Sequence, residues 1–263
     1  MTKSERKSMR TFTKEKKTAL LREIKKHREA DQIIKGSYGE ENGTWKGCAV
    51  GCSVRSLNIL EGKNYKTNDH TVYEKELGIP VELAYLEDEL FEAMPLEQAL
   101  FWPERFIKAV PTGADLSHVI AKLVIWQFED AKYGLKNIKE VKDDKEIYGF
   151  CEDVVALYKR SLTEEVQDDE YYQLYLKIER AEAEARAWVR ARAWAWAWAW
   201  ARGEAEAGDW ARARAWVRAG TRSWAGVGAR AWARAWADYE KYVLITADKL
   251  IELMGDEIRF KIV

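Results

Sequence analysis

Between Thr13 and Lys35 the positions Leu20, Ile24, His27, Asp31 and Ile34 recur at alternating steps of four and three residues, which predicts a helix over 13–35 with all five on one face. Two polar residues therefore interrupt an apolar stripe. His27 and Asp31 stand at i,i+4 spacing, where the carboxylate is expected to hold the imidazole in one tautomer and raise its basicity. Farther along, Pro80 is expected to open a helix through Phe91, and Pro95 another through Ala109 with a kink at Pro103. Asp115 is expected to cap a third that carries Leu116, Val119, Ile120, Leu123 and Val124. Residues 136–146, rich in Lys and Asp, predict a connector, and Cys151–Leu162 a further short helix. Asn68, Asp69, His70 and Thr71 form a polar turn. Within the helix after Pro80, Glu87, Asp88 and Glu89 are read first as a solvated face, with a polar pocket shared with His70 as the alternative.

A different texture fills Ala181–Asp238. Odd positions there are mostly Ala, even positions mostly Trp, Arg, Glu or Gly, and ten of the thirteen tryptophans fall in the tract. Period two argues for a strand, but Ala, Arg and Glu are helix formers and β-branched residues are scarce, so helix is the expectation. Trp194 and Trp198 then stack on one side, and Trp196 and Trp200 nearly opposite, which calls for burial between layers or between subunits. Glycines near 203–209 and 220–228 divide the region into antiparallel helices of roughly 170–202, 209–219 and 229–255. The fold class expected is mainly α: a helical domain over 1–160 with a glycine-rich loop at 36–53, holding at most a small hairpin, followed by an Ala/Trp/Arg-rich helical bundle region over 161–263.

Composition narrows the function classes. A net charge of −1 provides no global field toward nucleic acid or anionic lipid. No stretch reaches the uninterrupted apolar length of a membrane span, and the basic first 28 residues lack the apolar run of a signal peptide. Three cysteines, an odd number, fit a reduced, cytoplasmic protein.

The glycine loop is the best site candidate. Five glycines between Gly36 and Ser53 imply positive φ or close backbone approach. Free amides at Gly47 and Gly51, the rings of Tyr38 and Trp45, the charge of Lys46 and the His27/Asp31 pair together suit a small phosphate-bearing or nucleotide ligand, bound without turnover. The loop is neither a Walker motif nor a strand-flanked GxGxxG. Two other readings stay open. Cys48 or Cys52, activated by His27, has the residue types of a Cys-dependent hydrolase or transferase. The Trp/Arg tract has the makings of a protein interaction scaffold. One C-x3-C pair without a second ligand pair argues against zinc, and no metal or cofactor is expected.

The residues His27, Ala30, Asp31, Gly36-Ser37-Tyr38, Trp45 to Cys52 (WKGCAVGC), Leu77 to Pro80, Leu86-Glu87-Asp88 and Ala247 to Leu253 together resemble a family of uncharacterised bacterial and phage proteins, over most of residues 20–255. This chain departs from that pattern in a tract richer in Trp and poorer in Ser. The resemblance implies a binder of the counter-defence kind, one that sequesters host defence proteins or their nucleotide messengers, in the host cytoplasm if phage-encoded; the burial that the Trp/Ala tract demands separately makes a homo-oligomer joined through the tract the expectation.

Overall fold

The structure is a computed structural model that describes residues 12–143, 145–167, 169–174 and 229–257. The part of the Trp tract from Ala181 to Gly228 lies outside the described residues, and with it the expected helix 209–219 and all of the expected helix 170–202 beyond residue 174. The chain is mainly α, as its patterning predicts. Its described residues form two compact units, one within Met1–Ser117 and Ala233–Val263, the other within His118–Trp232.

In the first unit, α1 (Lys14–Glu29) starts at Thr13, whose side chain accepts the Lys16 amide, and it buries Leu20, Ile24 and His27. It stops well short of Lys35. Asp31 takes a left-handed φ of 56°, the Gln32 amide bonds back to the His27 carbonyl, and the Asp31 amide to that of Arg28. This is a Schellman ending with aspartate where glycine is usual. The chain then pairs Ile33 with Gly47 in a parallel bridge, and a two-stranded hairpin of β1 (Glu40–Asn42) and β2 (Thr44–Lys46) turns at Gly43.

Helix α2 (Ala49–Glu61) follows at once, with Cys48 as its N-cap; α3 (Thr71–Leu77) starts at His70 and α4 (Val81–Ala93) after Pro80. The segment expected as one kinked helix is two, α5 (Leu96–Ala99) and α6 (Trp102–Ala109). Pro103 sits in the first turn of α6, where its missing N–H is harmless. The last helix, α10 (Ala229–Asp256), matches the expected 229–255 closely, and its Val243, Ala247, Leu250 and Met254 form a buried stripe. These join Leu20, Ile24, Val54, Leu57, Ile79, Leu83, Phe91, Trp102 and Phe106 as the core of this unit.

The second unit contains α7 (Val119–Glu129), a 3-10 turn at Leu135–Asn137, α8 (Lys139–Asp143) and α9 (Lys145–Ser161). Asp115 does not cap α7. Its carboxylate accepts the Ser117 amide, and His118 takes the N-cap position without a side-chain bond. The expected connector at 136–146 is largely helical, and the helix expected at 151–162 begins earlier, at Lys145. Leu123, Val124, Phe128, Cys151, Val154 and Tyr158 are buried here.

Candidate functional site

Two groups of polar and aromatic side chains flank the loop between Gly36 and Ser53. The first is built on Trp45 of β2. His27, at the end of α1, tilts against the indole with ring centroids 5.2 Å apart, and the Arg55 guanidinium of α2 lies 5.6 Å from the centre of the indole. His27 Nδ1 is 2.7 Å from Gln32 Oε1, while its buried Nε2 has no hydrogen-bond partner among the described residues. Burial holds its pKa below the usual histidine value, Gln32 and Glu23 working against that. Asp31 is exposed beyond the helix end, so the partner expected for His27 is replaced by Gln32, which the Schellman turn brings back beside the ring.

The second group is centred on Asp88 of α4. Tyr38 donates its hydroxyl to Asp88 Oδ2 at 2.8 Å, and His70 Nε2 stands 3.5 Å from the same oxygen. The His70 ring stacks on Tyr85 at 4.0 Å and meets the Tyr38 ring edge-on at 5.6 Å. Cys48 faces this carboxylate. Although burial works to raise it, the Asp88 pKa is held below the ordinary value by His70, Tyr38 and the Cys48 thiol. The acidic run is therefore no solvated face, for Glu87 and Asp88 are 0% and 4% exposed.

The glycines serve packing. A Cβ on Gly51 would stand 2.2 Å from the Tyr38 carbonyl oxygen, and one on Gly47 2.8 Å from the Trp45 ring. Their amides are engaged within the fold, Gly47 donating to the Gln32 carbonyl at 2.9 Å and Gly51 to Cys48 Sγ at 3.5 Å. The loop is further fastened by the Cys48 amide on the Ser37 carbonyl, the Gly36 amide on Glu92, and Lys35 Nζ on the Met94 carbonyl. The expected set thus separates. His27 and Trp45 come together, with Arg55 as a neighbour sequence reading did not select; Tyr38 belongs to the Asp88 group; Lys46 is half-exposed beside Trp45 in β2; Gly47 and Gly51 hold the two groups close.

All three cysteines are free and buried. Burial and the facing Asp88 carboxylate push the Cys48 thiol up, burial and Glu87 do the same to Cys52, and burial takes Cys151 up to about 12. A nucleophilic cysteine needs the opposite shift. Cys52 donates its thiol to the Gly47 carbonyl at 3.4 Å. Among the described residues no group of three or more His, Cys, Asp and Glu is arranged to hold a metal ion, and no helix is long and apolar enough to cross a membrane.

Compared with known protein families, with curated proteins and with solved structures, the chain finds no match in any of the three.

Proposed function

We propose that this protein binds a small phosphate-bearing or nucleotide ligand without converting it, at the Trp45 face of the loop. The observation that carries the reading is the grouping of Trp45 with the Arg55 guanidinium and with His27, whose buried Nε2 has no hydrogen-bond partner among the described residues. An aromatic face beside a fixed cation is what a base and its phosphate require. The Gly47 and Gly51 amides are taken up inside the fold, so phosphate contact falls to Lys46 and Arg55, with His27 as the hydrogen-bonding group. Tyr38 and Asp31 act at one remove, Tyr38 by anchoring the loop and Asp31 by ending α1.

Turnover by a cysteine is disfavoured because both loop thiols are held protonated and His27 partners Gln32 and Trp45. The resemblance to bacterial and phage proteins makes sequestration of a nucleotide messenger in the host cytoplasm the setting that fits, with the Ala/Trp tract joining copies of the chain.

Thermal unfolding against a panel of nucleotides, cyclic nucleotides and inorganic phosphate tests this. A ligand at a hundredfold excess over its Kd should stabilise the fold by about 2.7 kcal/mol. The gain should vanish in Lys46→Ala and Arg55→Ala. Unmoved unfolding across the whole panel contradicts the reading.

A further inference from the structure

Of the two ring nitrogens of His70, Nδ1 lies 3.2 Å from the Asn68 carbonyl oxygen, which can only accept, so the proton of the neutral ring sits on Nδ1. Nε2 is thereby left bare, 3.5 Å from Asp88 Oδ2 and without a hydrogen-bond partner among the described residues. A lone pair thus faces a carboxylate, and both residues are buried. One further proton, on Nε2, turns this contact into a charge-assisted hydrogen bond, roughly twice as strong as a neutral one. The ring is already aimed for it, stacked on Tyr85 and met edge-on by Tyr38.

What the Asp88 group holds is the loop. Asp88 Oδ2 accepts the Tyr38 hydroxyl at 2.8 Å, and the Tyr38 carbonyl oxygen is wedged against two loop glycines, where a Cβ would stand 2.2 Å from it at Gly51 and 3.0 Å at Gly47. The next residue, Gly39, backs onto the Trp45 indole, where a Cβ would come within 2.7 Å of Nε1. Fixing Tyr38 therefore fixes the seat of Trp45. We propose that His70 is a pH-responsive latch on the loop: a proton on Nε2 bonds it to Asp88 and fastens α3, α4 and, through Tyr38, the loop more firmly on the acid side of neutrality than on the alkaline side. The latch stands whether or not a ligand binds at Trp45.

The groups that face His70 are Asp88 and Tyr85 from α4 and Tyr38 from the loop, while Asp69, beside it in the chain, accepts from Thr71. Asp88 in turn faces Cys48 from α2 and has Glu87 next to it on its own helix. Burial, with Tyr73 opposing and Asp88 adding, pushes the Glu87 carboxyl well above its ordinary value, so it brings no second charge. Asp88 keeps its own charge: although burial works to raise it, His70, Tyr38 and the Cys48 thiol hold it below the ordinary value. Histidine is the side chain that changes charge between about pH 5 and 8. Since only the folded chain offers the Asp88 contact, the contribution of the latch to stability is present at the acid end of that range and is lost as the pH rises.

Histidine-ring 15N–1H spectra and thermal unfolding of the full chain between about pH 5 and 8 test the latch. With the His70 ring identified by its contact with Tyr85, the neutral form should carry its proton on Nδ1, and a second proton should appear on Nε2 as the pH falls. Over the same fall the wild-type midpoint should gain several degrees on that of His70→Gln, whose amide does not titrate, and on that of Asp88→Asn, which offers the imidazolium no carboxylate. The Cys48 amide, which donates to the Ser37 carbonyl, should gain protection from hydrogen exchange relative to its intrinsic rate. If neither variant folds, the ring spectra and the exchange of the wild type decide. A neutral ring protonated on Nε2, a gap to both variants that is constant with pH, or Cys48 protection that does not change with pH overturns the proposal.

Discussion

Single residues around the loop do their work by fit. Gly51 is a helical residue with an ordinary φ, so alanine there would be benign but for the Tyr38 carbonyl oxygen 2.2 Å from the added carbon. Gly51→Ala should therefore destabilise the protein by about 1–3 kcal/mol, the range of overpacking, read from the denaturation midpoint. Gly36 is the opposite case. Nothing lies within 4 Å of a Cβ there, but its φ is +80°, so Gly36→Ala should lose only about 1 kcal/mol, through backbone conformation alone. Equal losses at the two positions would mean that the Tyr38 contact does not constrain the loop. The thiols give a second check at this scale. With all three cysteines buried, the native protein should not react with a thiol reagent, and the denatured protein should react at three sites. A fast-reacting thiol in the native protein would return the cysteine enzyme to consideration.

Between elements, the tie from α1 to α2 and α3 is ionic. Lys16 and Lys63 both pair with Glu61 and Glu76, and the Tyr65 hydroxyl donates to Glu76. Burial alone would raise the Glu76 carboxyl, yet hydrogen bonds from Lys63, Tyr65 and Lys16 bring it down to about 2. A folded pKa below the unfolded one means that this contribution is present above the usual value of 4.5 and is lost as the pH falls through about 2. The stability gap between the wild type and Glu76→Gln should thus be clear near neutrality and close on acidification. A gap independent of pH would show that the loss in Glu76→Gln is steric. On α10, the stripe of Val243, Ala247, Leu250 and Met254 makes Leu250→Ala a cavity mutation, expected to lower stability by about 2–5 kcal/mol on denaturant unfolding.

Over the whole molecule, the helical class and the last helix were legible because they rest on apolar spacing and on strong helix formers, which act locally. What sequence reading missed was set by tertiary context. The α1 stripe continues past Ala30 in sequence, but a left-handed Asp31 turns the chain away and gives His27 to Gln32. For the acidic run on α4 the pattern favours a solvated face over a polar pocket shared with His70, yet Glu87 and Asp88 are buried and Asp88 lies beside His70. The signal against a solvated face was present in Leu83, Ala84, Leu86, Leu90 and Phe91, apolar residues around several faces of the helix, which leave Glu87 and Asp88 nowhere to point but inward. Arg55 gave no signal at all, since only the packing of the hairpin on α2 brings it over Trp45. The central claim, a phosphate-bearing ligand held at the Trp45 face, is tested most directly by mass spectrometry of the small molecules released when protein purified from cells is denatured. The wild type should release a phosphate-bearing species that Lys46→Ala and Arg55→Ala protein lack. Release of no such species, or equal release from all three proteins, would contradict it.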